Sequence, residues 1–149
     1  MIALGADHGG YLLKEEIKKH LEKKGIDYID FGTYSSDSVD YAKIAYKTCK
    51  SVTSGECEKA ILCCGTGIGI SMAANKVKGI RAACCSDWFS AKYTRLHNDA
   101  NALCLGGRVV GAGLALEMVD VFLTTEFEGG RHQRRVDQIT AIENDMFED

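Results

Sequence analysis

The sequence has no run of about 20 apolar residues, the length that a helix needs to cross a bilayer. Its first residues, MIALGADHGG, also lack the basic start and the long apolar segment of a signal peptide. Because neither kind of segment is found, we expect a cytoplasmic protein without a membrane partner.

The chain carries little excess charge of either sign. Its 18 Lys and Arg and 21 Asp and Glu residues are interspersed and give a net charge of -3, so no broad basic face is predicted and no nucleic acid is expected as a partner. Any anion site must be local. A length of 149 residues and an apolar content of 46% predict a single domain, residues 1–149.

The spacings that are typical of disulfide frameworks and zinc sites are missing as well. The cysteines are odd in number, contain no CxxC pair and include two adjacent pairs within apolar runs, where neighbouring side chains point to opposite faces of a strand. We therefore predict no disulfide framework and no metal site, and interpret most of the thiols as small buried side chains. The cysteines are Cys49, Cys57, Cys63, Cys64, Cys84, Cys85 and Cys104.

Short apolar runs alternate along the chain with longer amphipathic segments. In the first of these segments Leu13, Ile17 and Leu21 are four apart, Lys and Glu fill the other face, and Gly25 ends the helix. The alternation predicts an α/β fold: a three-layer, doubly wound, five-stranded parallel sheet in a single domain with a C-terminal helix. Strands are predicted at 2–6, 26–31, 60–64, 80–84 and 102–105, and helices at 12–24, 40–53, 68–76, 87–96, 111–123 and 131–146.

A glycine-rich segment follows the third predicted strand, at the sheet edge where ligands bind in such folds. Gly65, Gly67 and Gly69 allow a sharp turn whose N–H groups can hold a phosphate or an oxyanion, although the same glycines can serve tight packing alone. The segment lacks GxGxxG spacing and a P-loop lysine, so no dinucleotide cofactor is expected. Cys64 directly precedes it, where N–H donors favour a thiolate base or nucleophile; an inert buried cysteine is the alternative.

Other polar residues lie next to predicted strands. Asp7 and His8 follow the first strand, where they can bind hydroxyl groups or an anion, or merely form a turn. His97 begins the polar segment 97–101 and is either catalytic or an ordinary surface histidine. We expect these segments to converge with Cys64 at one end of the sheet.

Two arginines near the end of the chain share one face of a predicted helix. Arg131 and Arg135 are four residues apart, so they can grip a phosphate together. The alternative is a solvated basic face without a ligand.

Several motifs are spread over nearly the whole chain. They are GADHGG at 5–10, DY at 40–41, ILCCGTGIG at 61–69, ANK at 74–76, GIRA at 79–82, HNDAN at 97–101, GGR at 106–108 and GGRHQRR at 129–135. Together they closely resemble ribose-5-phosphate isomerase type B, in the wider family that includes the bacterial galactose-6-phosphate isomerase subunits. Independent motifs in one order are far more specific than any single motif.

The resemblance implies an aldose–ketose isomerase with a Rossmann-like fold, no cofactor and a cis-enediolate intermediate. Cys64 would move the proton between C1 and C2, and Thr66 would help move protons between O1 and O2. His97, with Asp7 nearby, would open the sugar ring. The enediolate oxygens would be held by backbone N–H groups of Gly65, Gly67, Ile68 and Gly69.

The resemblance also implies how a sugar phosphate is bound. Tyr41 would lie against the sugar, and Asn98 would bind its hydroxyl groups. Family members form homodimers, or dimers of dimers, whose sites take residues from two chains. The phosphate would be bound by His8, Arg108, Arg131 and Arg135.

Two positions depart from patterns seen within the family. Ala42 stands where relatives often have proline, and Ser71 stands where some relatives have a glutamate base, so the chemistry based on Cys64 applies. The expected reaction is D-ribose 5-phosphate to D-ribulose 5-phosphate, in the pentose phosphate pathway. The alternatives are a six-carbon substrate, such as allose or galactose 6-phosphate, and a non-catalytic phosphate- or nucleotide-binding module.

Overall fold

Five parallel strands form the centre of the computed structural model, which describes residues 1–149. The strands are β1 (Ile2–Ala6), β2 (Tyr28–Asp30), β3 (Lys59–Cys64), β4 (Ala82–Cys84) and β5 (Ala102–Gly106). They pair in the order β2-β1-β3-β5-β4. The predicted five-stranded parallel sheet is therefore confirmed. The two edge strands, β2 and β4, are shorter than predicted, with three residues each.

Six helices connect and follow the strands, close to the predicted bounds. The last helix ends at Glu143, three residues before the predicted end, and Gly25 follows the first helix at a φ of 68°, as expected for a terminating glycine. None of the helices has the length and apolarity that a membrane crossing requires. The helices are α1 (Tyr11–Lys23), α2 (Tyr41–Thr53), α3 (Ile68–Ala74), α4 (Trp88–Asn98), α5 (Ala112–Thr124) and α6 (Arg131–Glu143).

The helices cover both faces of the sheet, as a doubly wound fold requires. α1, α4 and α5 contribute to one buried apolar cluster, and α2 and α3 contribute to the other. Cys63 lies in the first cluster and Cys64 in the second, so these neighbours point to opposite faces, as predicted. All seven cysteines are free thiols, and all except Cys84 are buried.

The chain changes direction of winding between β1 and β3. After β1 it adds β2 on one side, and it then returns to place β3 on the other side of β1. The carboxyl ends of β1, β3 and β5 are consequently neighbours, and the amide of Asp7 donates a hydrogen bond to the carbonyl of Cys63 (3.1 Å). This switch point is where doubly wound sheets bind ligands.

One lysine of α1 is buried, in contrast to the predicted polar face of that helix. Lys14 is 1% exposed, and its Nζ donates to both carboxylate oxygens of Asp30 (2.6 and 2.7 Å) and to the carbonyl of Thr33 (2.7 Å). Lys18 Nζ lies 2.9 Å from the same carboxylate. A buried cation is stable here because its partners replace the hydrogen bonds of water.

Burial alone would raise the pKa of the Asp30 carboxyl, but hydrogen bonds from Lys14 and Lys18 outweigh it and hold this pKa below its usual value. A lowered folded-state pKa means that the stabilisation is present above the unfolded-state pKa of the carboxyl. It is lost as the pH falls through the folded-state value.

Replacing Lys14 by methionine tests the buried ion pair, because methionine keeps most of the apolar length and removes the charge. Lys14→Met should lower the free energy of unfolding by about 3 kcal/mol, the lower end for a broken buried pair, since Lys18 remains beside Asp30. The control, Lys19→Met, removes an exposed lysine and should change the free energy of unfolding by less than about 0.5 kcal/mol. Urea denaturation of both variants at one protein concentration measures the difference; equal stabilities would contradict the role given to Lys14.

Candidate active site

The thiol of Cys64 receives a hydrogen bond from the loop that follows it. Cys64 ends β3 and is 4% exposed, and the amide N–H of Gly67 points at its Sγ from 3.0 Å. Gly67 has a φ of 80°, which glycine adopts without strain, and it immediately precedes α3. An N–H donor directed at sulfur favours the thiolate, the form that acts as a base or nucleophile.

The other thiols near the sheet lie in surroundings that favour the protonated form. Burial raises the pKa of Cys49 to about 12 and that of Cys85 to about 11. Burial also raises the pKa of Cys63, Cys84 and Cys104 above the usual value. These five thiols are therefore poor candidates for proton transfer at neutral pH.

Two side chains lie directly against this loop. A Cβ built on Gly65 would lie 3.0 Å from Nη1 of Arg108, and one built on Gly69 would lie 2.9 Å from Cζ of Tyr41. Both glycines thus allow a cationic and an aromatic side chain to approach the backbone beside Cys64. Thr66 is also in the loop, exposed, and its Oγ1 accepts a hydrogen bond from the amide of Ile68 (3.2 Å).

Asp7 and His8 lie at the neighbouring strand end. Asp7 is buried, and its Oδ1 accepts hydrogen bonds from the amides of Gly9 (2.8 Å) and Gly10 (3.2 Å), which leaves Oδ2 for other chemistry. Nδ1 of His8 accepts from the amide of Val39 (3.2 Å), so a neutral ring carries its proton on Nε2 and can donate it to a ligand.

We call these residues the carboxyl-edge group, because all of them lie where the carboxyl ends of the strands meet. Their amides, guanidinium and imidazole can surround one anion next to a thiol. The group consists of Asp7, His8, Tyr41, Cys64, Gly65, Thr66, Gly67, Ile68, Gly69 and Arg108.

His97 and Asn98 lie at the opposite edge of the same sheet. α4 starts after the carboxyl end of β4, and its 11 residues carry the chain about 16 Å back toward the amino ends. Asn101, just beyond, accepts a hydrogen bond from the amide of Ala60 at the start of β3. The expectation that segment 97–101 converges with Cys64 is therefore wrong within one chain, because a helix between parallel strands must return the chain to the other edge.

Arg131 and Arg135 also lie at this amino edge. His132, between them, stacks on His97 with ring centroids 4.0 Å apart, and α6 ends where Glu143 accepts from the amide of Gly79, just before β4. Both arginines are exposed. The amino-edge group is His97, Asn98, Glu128, Arg131, His132 and Arg135.

Glu128 and His132 were not among the residues predicted from the sequence. Glu128 Oε2 lies 3.3 Å from His132 Nε2 and 3.9 Å from His97 Nε2. Desolvation lowers the pKa of His132, with the nearby cationic groups of His97 and Arg131 acting in the same direction. The sequence signal for this pair is that Glu128 and His132 are four residues apart at the start of a predicted helix, where such residues can contact each other.

The two imidazoles and the carboxylate bring potential metal ligands together, with all ligand atoms within 4.8 Å of one another. The rings of His97 and His132 are stacked at an interplanar angle of 11°, however, so their nitrogen lone pairs lie in separate parallel planes. One ion cannot lie in both planes unless a ring turns. The arrangement suits ring stacking better than metal coordination.

Comparison with known proteins identifies close relatives. The model of the Ribose/Galactose Isomerase family matches residues 2–139. The chain is 53% identical over 142 residues to ribose-5-phosphate isomerase B of Escherichia coli, covering 95% of each chain. Ribose-5-phosphate isomerase B of Clostridium thermocellum has a TM-score of 0.95 at 55% identity and 97% coverage of both chains. The Mycoplasma genitalium enzyme with bound ribulose-5-phosphate has a TM-score of 0.91 at 41% identity, covering 96% of this chain and 95% of that one.

Gly67→Ala tests the hydrogen bond to the Cys64 thiol. A Cβ at Gly67 would lie 2.9 Å from the Leu105 backbone, so the loop must shift and its amide must leave the sulfur. A donor to an anion contributes about 1.5–3 kcal/mol, so alkylation of Cys64 by iodoacetamide at neutral pH should slow by about tenfold or more. Peptide mass spectrometry measures the rate. Gly113→Ala, where an added methyl meets open space, is the control, and an unchanged rate in folded Gly67→Ala protein would contradict the assignment.

Proposed function

Because the chain belongs to the ribose/galactose isomerase family, we propose that it interconverts D-ribose 5-phosphate and D-ribulose 5-phosphate. Relatives over nearly its full length are named ribose-5-phosphate isomerase B, and the solved Mycoplasma genitalium relative holds ribulose-5-phosphate. The observation that carries the proposal is the thiol of Cys64, 3.0 Å from the amide of Gly67. A module that only binds phosphate has no need of a thiol held in this way.

The proton transfer uses Cys64 as the base. Its thiolate removes the proton from C2 of the open-chain aldose, the electrons pass to the carbonyl oxygen O1, and a cis-enediolate forms. Cys64, whose proton can exchange with water at this stage, then protonates C1 as the ketose forms, while Thr66 helps move a proton between O1 and O2. Backbone amides of the loop 65–69 hold the negative oxygens, which stabilises the enediolate without a metal ion.

The preceding step opens the furanose ring of ribose 5-phosphate. In the proposed site His97 and Asp7 perform it. Asp7 suits the role because two amides fix one carboxylate oxygen and leave Oδ2 available for a proton. His97 of the same chain cannot reach Asp7, since the two residues lie at opposite edges of the sheet.

We therefore infer a homodimer in which the carboxyl-edge group of one chain meets the amino-edge group of its partner. A twofold axis produces two equal sites by this exchange. In each site Asn98, Arg131 and Arg135 come from the partner, with the arginines on the phosphate beside His8 and Arg108. Large apolar side chains around the carboxyl edge support burial against a second chain. They are Leu12, Ile68, Met72, Trp88, Phe89 and Val109, all exposed in one protomer.

Cys64→Ala tests the function and the base together. Turnover of ribose 5-phosphate should fall by about 10²–10⁴-fold, the usual contribution of one general base, while folding is kept. Cys57→Ala is the matched control, because that buried thiol precedes β3 and so lies at the opposite edge of the sheet from the loop 65–69. A coupled assay of ribulose 5-phosphate formation measures the turnover of both variants. The six-carbon comparison follows the ketose phosphate formed from allose 6-phosphate. Wild-type levels of turnover in Cys64→Ala would show that another group is the base.

A further inference from the structure

The linker between α5 and α6 is fastened to the helix turn that carries His97. The amide of Glu128 donates to the carbonyl of Leu96 (3.1 Å), the residue before His97. Nε of Arg95 donates to the carbonyl of Thr125 (3.1 Å), at the start of the same linker. Two hydrogen bonds, one at each of Thr125 and Glu128, thus hold the linker against the last turn of α4.

The ring of His97 is held between two other rings. Tyr93 meets it edge-on, with centroids 5.1 Å apart and an interplanar angle of 82°. His132 stacks against its face at 4.0 Å. His132 is buried and its Nε2 lies 3.3 Å from Glu128 Oε2, so the orientation of His97 depends on both residues.

The Glu128 carboxylate is the acidic group closest to both imidazoles. His132 favours its neutral form, because desolvation and the cations around it lower its pKa, and its Nε2 lies 3.3 Å from Glu128 Oε2. The same oxygen lies 3.9 Å from His97 Nε2, within the range of an ion pair when His97 is protonated. Arg131 and Arg135 add positive charge nearby, which only Glu128 offsets within this group.

We propose that Glu128 and His132 are positioning residues for ring opening, orienting His97 and balancing its charge while it acts as the acid. This proposal rests on the proposed isomerase function. The protonated His97 gives its proton to the ring oxygen O4 as the C1–O4 bond breaks. The hydroxyl proton of O1 passes to Asp7, and the C1=O1 double bond forms. One proton enters the sugar and one leaves, so the sugar's charge does not change.

If this proposal is correct, a substitution at Glu128 or His132 slows only reactions of the cyclic substrate, ribose 5-phosphate. Ribulose 5-phosphate stays open-chain because its C5 oxygen carries the phosphate. Formation of the enediolate from it requires Cys64 but no ring step. Exchange of its C1 proton with deuterium in D₂O, followed by NMR, therefore reports proton transfer alone. Net conversion of ribose 5-phosphate at high enzyme concentration reports ring opening as well.

Glu128→Gln should slow conversion of ribose 5-phosphate by about tenfold or more, while C1 exchange of ribulose 5-phosphate stays within about twofold of wild type. With Glu128→Gln, the rate of ribose 5-phosphate conversion should also stop rising with enzyme concentration once uncatalysed ring opening becomes limiting. Glu128→Asp keeps the charge and should recover part of the rate. His132→Gln, a second variant, should show the same selective loss. Glu126→Gln, at an exposed position of the same linker, should behave as wild type.

Equal losses in both measurements, in protein with an unchanged thermal unfolding midpoint, would mean a general structural role and would overturn the proposal. Unchanged conversion in Glu128→Gln and His132→Gln would overturn it too. Failure of the underlying function looks different, because wild-type protein would then neither convert ribose 5-phosphate nor exchange the C1 proton of ribulose 5-phosphate.

Discussion

A helix that joins two parallel strands must return the chain from the carboxyl edge of the sheet to the amino edge, and this constraint determines where the chemistry of this protein lies. Cys64 ends β3 and Asp7 follows β1, so both lie at the carboxyl edge. His97 lies in the last turn of α4, about one helix length away, at the amino edge. A protomer therefore carries two groups of candidate site residues, one at each edge of the sheet. A twofold dimer is the simplest assembly that brings them together.

At the carboxyl edge, a backbone N–H group close to the sulfur favours the thiolate of Cys64, so no separate basic side chain is needed beside it. The glycines of the loop let its amides approach Cys64 while Arg108 and Tyr41 lie against the same backbone. Two hydrogen bonds likewise fix one oxygen of Asp7 and free the other. At the amino edge, side chains rather than backbone amides orient the candidate group: the rings of Tyr93 and His132 pack against the ring of His97. In the proposed dimer, proton transfer at Cys64 therefore depends on the carboxyl edge of one chain, whereas ring opening depends on Asp7 of that chain and His97 of its partner.

The sequence was informative wherever local periodicity decides structure, and less so where tertiary contacts decide it. The alternation of strand residues correctly separated Cys63 from Cys64, and Gly25 correctly marked the end of α1. The helical pattern assigned Lys14 to the polar face, yet Asp30 and Thr33, distant in sequence, allow its burial. Contact between Glu128 and His97 could not be predicted, because it depends on how the linker docks on α4. The motifs identified the remaining candidate residues, but they carry no information on which sheet edge each occupies.

The most direct test of the shared site mixes two inactive variants. Cys64→Ala and His97→Ala chains, unfolded together in equal amounts and refolded, should form about half mixed dimers, each with one intact site, so about a quarter of all sites should convert ribose 5-phosphate. Native mass spectrometry, which weighs intact dimers, verifies that the two variant chains have mixed. Recovery to roughly that level would support a site that combines Cys64 of one chain with His97 of the other. Activity no higher than that of the separate variants, in verified mixed dimers, would contradict the account.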